Sequence, residues 1–371
     1  MRSIPLPVSL PIGAAAAWEA KLARKGGLSI VMQGPLHAGN AVQIEVNAHH
    51  WRTLFPKAQI VLAISTTDYP EIVGQAVGRS RQIRTTDSER ATTLPAPVHR
   101  LRKSCDRIVI ADEAQVLPPL KFNDHCPNHG NLQIAAARAG LSQTTGTYVL
   151  RTRNDLIFAD RSFLRFYFNH ARLPRRGSTT FSDRILISQL FTLNPYGLER
   201  LPFHFSDFFH FGRTEDVRSI WMGLPDIPRE DSDYYIRHEH AEHSNAVERK
   251  FKTRLGVEQH VHHHAAKLAF PDLPLRFHND DSSVDASLAI LLNDYIICDM
   301  AECGAIFPKW GMLFKVPLMQ VLCLTAEDWV ILNELDNAAR GAAYLRAKAA
   351  AWHARALTAL PELANGSAHG G

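Results

Sequence analysis

No two of the five cysteines, Cys105, Cys126, Cys298, Cys303 and Cys323, form a CxxC pair. An odd count without paired spacing argues against a disulfide framework or a zinc ribbon, and fits reduced thiols in a cytoplasmic protein. No stretch reaches about 18 uninterrupted apolar residues, so no membrane-spanning helix is predicted. The opening "MRSIPLPVSLPIGAAAAWEA" has one arginine and a mildly apolar run broken by Pro5, Pro7 and Pro11, so a signal peptide is not expected. No Gly-x-Gly-x-x-Gly follows the first apolar run, and neither a P-loop nor Gly-x-Ser-x-Gly occurs. Dinucleotide-binding, NTPase and serine-hydrolase readings lose their usual signals. The net charge is only +4 over 371 residues, and Lys and Arg are scattered, so nucleic acid is not an expected partner. There is no internal repeat.

What is present is an ordinary soluble balance, 46% apolar and 21% charged. "LSIVMQG" at 28–34 reads as a buried strand, and Asn40 as the N-cap of a following helix. "AQIVLAIS" at 58–65 and "DRIVIADEA" at 106–114 are further strands. "NLQIAAARAGLSQ" reads as a helix, and "TYVLRTRNDLIFAD" at 147–160 begins as a fourth strand. Strand, helix, strand in this order predicts a parallel α/β sheet. Later come strands in "DRILISQLF" and "SDFFHFG", a helix in "RTEDVRSIWMG", and a last hairpin from "YIICD" and "GAIF". Thr325 and Asp328 are spaced as a capping box for C-terminal helices.

In open α/β sheets, ligands bind beyond the carboxyl ends of the strands. Gln33-Gly34, Ser65-Thr66 and Asp155 stand at three such ends and define one rim. Arg151, Arg153 and Asp155 alternate, so they share a face if the strand continues. The guanidinium fork matches phosphate oxygens, and Mg2+ or Mn2+ often takes one or two protein carboxylates beside phosphate and water. One carboxylate with two arginines therefore suits a metal-bound nucleoside diphosphate. The same residues also suit a plain salt bridge, Arg153 with Asp155 or Asp160.

"SIVMQGPL", "NLQIAAARAGL", "YVLRTRNDLIF", "PFHFSDFFHFG" and "LLNDYIICD", taken in order over roughly residues 28 to 310, resemble the WavE-like lipopolysaccharide biosynthesis family. The resemblance implies a bacterial glycosyltransferase with a GT-A-like, Rossmann-type sheet flanked by helices. It implies a nucleotide-sugar donor and a lipid-linked or oligosaccharide acceptor. Asp155 takes the place of the last aspartate of a DxD motif, and so of the ligand for Mg2+ or Mn2+. Arg153 replaces the first aspartate, a departure that lets an arginine neutralise diphosphate directly. Gln33, Gly34, Pro35, Ser65 and Thr66 are expected to line the nucleotide, helped by Arg151 and Arg153.

An inverting transfer needs a group to take the acceptor's proton. Glu239 in "YYIRHEHAEH" is the expected base, and Asp207 in "SDFFHFG" the expected acceptor contact. Each has a plain rival, a solvated helix face for Glu239 and a turn role for Ser206-Asp207. "HEHAEH" fails the HExxH pattern because Glu242 stands where the second histidine belongs. "HVHHH" at 260–264 reads as an exposed, partly charged loop, and His278 as a minor metal candidate. The expected division is an N-terminal segment 1–26, a glycosyltransferase domain 27–322, and a helical extension 323–371 ending in a disordered tail. The extension's basic, amphipathic composition leaves room for peripheral contact with the inner membrane. The expected function is sugar transfer to a growing lipopolysaccharide core or capsular glycan. A sugar nucleotidyltransferase and a non-catalytic glycan-binding scaffold are the alternatives.

Overall fold

The computed structural model describes residues 24–67, 81–84, 96–308, 322–335 and 337–351, with a few positions of the preceding segment. Leu28–Leu36 (β1) and Gln59–Thr67 (β2) are joined by Ala41–Leu54 (α1). Parallel strands covered on both faces need consecutive apolar side chains, and the two runs supply them. Asn40 precedes α1 but holds the turn differently from a simple N-cap. Its Oδ1 accepts from the His37 amide at 2.8 Å, and its Nδ2 donates to the Pro35 carbonyl at 3.0 Å.

Arg81–Arg84 (β3), Ala96–Ser104 (α2) and Arg107–Ile110 (β4) follow. Gly130–Leu141 (α3) leads into Tyr148–Arg153 (β5). Next come Ile157–Phe158 (β6), Ser162–His170 (α4), Ile185–Ser188 (β7), Phe209–Arg213 (β8) and Thr214–Trp221 (α5). Val257–Lys267 (α6), Val284–Asp294 (α7), Tyr295–Cys298 (β9), Ala305–Ile306 (β10) and Ala326–Glu334 (α8) complete the named elements, and 338–351 is also helical (α9).

The eight-stranded sheet runs β3-β4-β2-β1-β5-β8-β7-β9, with β6 and β10 paired apart from it. β4, β2, β1 and β5 are mutually parallel, while β8 is antiparallel to both β5 and β7. From β1 the chain moves one way to β2 and β4, then returns across to β5. The switch point of the sheet therefore lies between the carboxyl ends of β1 and β5. This is the expected Rossmann-type α/β sheet flanked by helices.

One face packs on α1 and α4. Trp51, Phe158 and Phe163 cluster there, and Tyr148, Tyr167 and Phe211 form a second aromatic group. The other face packs on α3, α5 and α6. Gly140 of α3 sits so close to the strands that a Cβ would overlap Val31 and Ala63. Trp329, Leu332 and Leu345 of the C-terminal helices join the main core rather than a separate one. The predicted capping box forms, with Thr325 N donating to Asp328 at 2.7 Å and Asp328 N to Thr325 Oγ1 at 3.1 Å. On α9, Lys348 binds Asp328, and Arg346 stacks on Tyr196 at 4.6 Å. Trp352, Arg355 and Leu357, part of the expected basic amphipathic surface, lie outside the described residues, as does most of segment 1–26. No helix among the described residues is long and apolar enough to cross a membrane. The five cysteines are free, four of them buried.

Two expectations fail. "YIICD" and "GAIF" do not form a hairpin, because β9 pairs in parallel with β7 and β10 pairs with β6. "HVHHH" is not an exposed loop but the middle of α6. His262 is fully buried there, 5.4 Å from His210 between ring centroids and 2.9 Å from the Tyr295 hydroxyl. Burial pushes the His262 imidazole down to about 3, so it packs as a neutral ring.

Candidate active site

The switch point is built by β1 and the turn after β5. The Asn154 amide N–H donates to the Gln33 carbonyl at 2.8 Å, and its side chain to the Pro35 carbonyl at 2.9 Å. Asn47, buried on α1, donates to the carbonyls of Asn154 and Leu156 at 3.2 and 2.9 Å. Gly34 makes this possible. Its φ is +146°, and a Cβ there would lie 2.6 Å from Asn154 Oδ1. Gly34→Ala is expected to cost about 1–3 kcal/mol through strain and displacement of Asn154. Urea unfolding at neutral pH checks this, and an unchanged midpoint would remove Gly34 from its role.

Ser65 and Thr66 stand half-buried at the end of β2, beside the rim. Gln33, by contrast, is buried and turned inward, where its Oε1 accepts from Arg151 Nε at 2.8 Å. Arg151 and Arg153 do share a face of β5, as alternation predicts, but they differ in depth. Arg151 is fully buried, 4.4 Å over the Trp221 ring, and it donates to the Asp207 carbonyl. Burial lowers its guanidinium to about 9, against a smaller opposing pull from Asp207. Arg151 thus acts from below, fixing Gln33 and the 207 backbone rather than facing solvent.

Arg153 lies one step nearer the rim. It donates from Nε and Nη2 to the two oxygens of Asp155, both at 2.8 Å, and lies between Phe307 and Phe208 at 5.0 and 5.5 Å. Burial disfavours its charge. The bond to Asp155 and the charges of Asp155, Asp207 and Glu258 outweigh that and raise its affinity for the proton. The guanidinium is thus paired with Asp155 and within electrostatic reach of Asp207 and Glu258. Asp155 is the most open of the three, its side chain 37% exposed, against 19% for Glu258. Asp207 is buried and accepts from Gln133 of α3.

Glu239 is an exposed residue after the helical turn Tyr234–Arg237. Glu258, in the first turn of α6, was not singled out from the sequence, where it precedes the histidine run. Its partner His204 was not singled out either. His204 Nε2 stands 3.3 Å from Glu258 Oε2.

Among the described residues, no three His, Cys, Asp or Glu side chains converge to hold a metal ion. His278 is buried against Phe251, ring to ring at 4.5 Å. Both Asp155 oxygens accept from Arg153, so a divalent ion there would have to displace a two-point guanidinium contact. An anion on Arg153 would have to displace Asp155 in the same way.

The model of the family described as WavE lipopolysaccharide synthesis matches residues 120–353, well over half of the chain. The chain belongs to the WavE lipopolysaccharide synthesis family. The match takes in Arg151, Arg153, Asp155, His204, Asp207, Glu239 and Glu258, so every charged residue of the site lies on WavE sequence. It starts later than the span resembling WavE in the sequence. β1 and β2, with Gln33, Gly34, Pro35, Ser65 and Thr66, lie before it. No curated protein sequence matches. Among solved structures, an active-site mutant of LgtC is similar over 62% of this chain and 85% of that one, with 11% identity and a TM-score of 0.27. At that TM-score the likeness is too slight to bear on this chain.

Proposed function

We propose that this protein transfers a glycosyl group from a nucleotide-sugar donor to a lipopolysaccharide or capsular glycan acceptor. The observation that carries the reading is Arg153: a fork-shaped cation, held by Asp155 at two points, at the sheet's switch point in a chain of a lipopolysaccharide synthesis family. A nucleoside diphosphate leaving group gains negative charge as the glycosidic bond forms. A positioned guanidinium stabilises that charge where it develops. In this reading Arg153 releases Asp155 to take the diphosphate, Arg151 holds Gln33 and the 207 backbone beneath it, and the end of β2 lines the nucleotide.

A competing proposal places Mg2+ or Mn2+ on Asp155, favoured by that carboxylate's exposure. Bound there, the ion would neutralise the diphosphate as a Lewis acid. Thermal shift with UDP-, GDP- and CMP-sugars, with Mg2+, with Mn2+ and with chelator, tests both. At least one nucleotide sugar is expected to raise the melting temperature, and to do so in chelator. A shift that vanishes in chelator would move the charge neutralisation from Arg153 to a metal on Asp155. No shift with any nucleotide would leave a non-catalytic scaffold as the better reading.

A further inference from the structure

Phe191 and Phe203 are the non-glycine residues with positive φ among the described residues, at +65° and +62°. A bulky aromatic in this region is strained, and it persists only where the surroundings hold it. Both phenylalanines frame His204. The Phe191 carbonyl accepts from His204 Nδ1 at 2.9 Å, and Phe203 directly precedes the histidine in the chain. The His204 amide donates to the Leu201 carbonyl at 3.2 Å, and its own carbonyl accepts from Leu193 N at 3.0 Å. The ring is therefore fixed, with Nδ1 committed to a carbonyl and Nε2 aimed at Glu258.

The other partner is held as firmly. Gln259 donates to the carbonyls of Pro202 and His278 at 2.8 and 2.7 Å, and accepts from the Gly256 amide at 3.0 Å. That clamps the first turn of α6 against the His204 loop. Gly256 lies flat against the ring, where a Cβ would stand 3.5 Å from His204 Cδ2. Of the three carboxylates acting on Arg153, Asp155 has both oxygens on the guanidinium, and Asp207 is buried with Oδ2 accepting from Gln133. Glu258 has the histidine contact at 3.3 Å and a partly open face.

We propose that Glu258, positioned by His204, accepts the proton of the acceptor hydroxyl. This rests on the glycosyl-transfer reading and gives the base role to Glu258 in place of Glu239. As the acceptor oxygen bonds to the anomeric carbon, the bond from that carbon to the diphosphate oxygen breaks. The electron pair leaves with the nucleoside diphosphate, and the hydroxyl proton passes to a Glu258 oxygen. Burial raises the Glu258 carboxyl above its usual range. Neighbouring Asp207 adds to the rise, while His204 and Arg153 pull against it. A carboxylate so placed is a stronger base than one in water.

The experiment uses the full chain. The donor is whichever panel nucleotide sugar gives the largest thermal shift, and the acceptor is truncated lipopolysaccharide from cells lacking the protein. The readout is nucleoside diphosphate release. Glu258→Gln is expected to lower turnover by about 10²- to 10⁴-fold, with the donor's thermal shift kept, while Glu239→Gln stays near wild type. His204→Gln is expected to move the acid limb of the pH profile to higher pH, because the ring no longer helps hold Glu258 ionised. A purely structural histidine would leave that limb in place. If Gln at 258 unfolds the protein, Glu258→Asp carries the test, with lower turnover and the acid limb retained. Near-normal turnover in Glu258→Gln, or loss of turnover in Glu239→Gln instead, would overturn the assignment. A wild type that binds no panel nucleotide, or releases no diphosphate, would overturn the transfer reading and this one together.

Discussion

Replacing Arg153 by glutamine is expected to lower turnover by about 10²- to 10³-fold, the scale of losing one stabiliser of developing charge. Donor binding should weaken with it. Stability should fall by far less than a core substitution costs. The Arg153–Asp155 pair is partly exposed, 30% and 37% for the two side chains, and such pairs contribute about 0–1 kcal/mol. Loss of the stacking on Phe208 and Phe307 adds a comparable amount. Arg153→Lys keeps the charge but not the fork, so it should recover part of the activity. Asp155→Asn separates the two proposals for the diphosphate. It frees Arg153 from its partner, so turnover should change less than about tenfold if the guanidinium is the cation. A loss of roughly 10²-fold or more, with stability unchanged, is what a metal on Asp155 requires. Measuring melting temperature and turnover on the same preparations keeps folding and chemistry apart. Normal turnover in Arg153→Gln would remove the guanidinium from the reaction.

The parts of the fold legible in the sequence are those whose signal is local. β1, β2 and β5 are apolar runs because parallel strands are buried on both faces, and α3 and α5 follow the helical period. Alternation placed Arg151 and Arg153 on one face. It gave no depth, because the burial of Arg151 depends on Trp221 and His210, which come from elements far along the chain. The hairpin expected from "YIICD" and "GAIF" failed for the same reason. β9 prefers the more distant β7, and nothing in either segment names that partner. Glu258 and His204 were hidden in another way. A run of histidines reads as hydrated, but here Tyr295, Phe205 and His210 cover His262, and the run lies on a helix packed against the core. Only that helix brings Glu258 to the loop of His204. The positive φ of Phe191 and Phe203, which marks this loop, leaves no trace in residue type.

Glu248→Ala is expected to cost about 3–5 kcal/mol, the scale for breaking a buried ion pair from one side, and to leave turnover per folded molecule near wild type. Glu248 is wholly buried, yet its carboxylate is fully supplied with donors. It accepts from Arg200 N, Nε and Nη2 at 3.1, 2.8 and 2.6 Å. It also accepts from Asn245 N at 2.9 Å and Asn279 Nδ2 at 3.0 Å. Alanine would strand these groups, although Arg200, 32% exposed, can regain water and so holds the loss toward the lower figure. Burial alone would raise the Glu248 carboxyl, but the Arg200 contact and the amides of Asn245 and Arg200 outweigh it and hold the group below its usual range. A carboxyl whose folded value is depressed stabilises the protein above its unfolded value, near 4.3 for glutamate. That contribution is lost as pH falls through the folded value. Asp280 follows the same rule, held low by Arg276 and Ser282 despite its burial. Urea unfolding of wild type and Glu248→Ala, at pH 7 and at successively lower pH, therefore reads the sign directly. The gap between the two should be widest near neutrality and narrow in acid, as the wild-type carboxylate takes up its proton. A gap that stays constant would mean that Glu248 contributes through packing and not through charge. The contrast with Glu258 is then a physical one. A carboxylate saturated with donors stabilises the fold, and one held beside other carboxylates with few donors is free to take a proton.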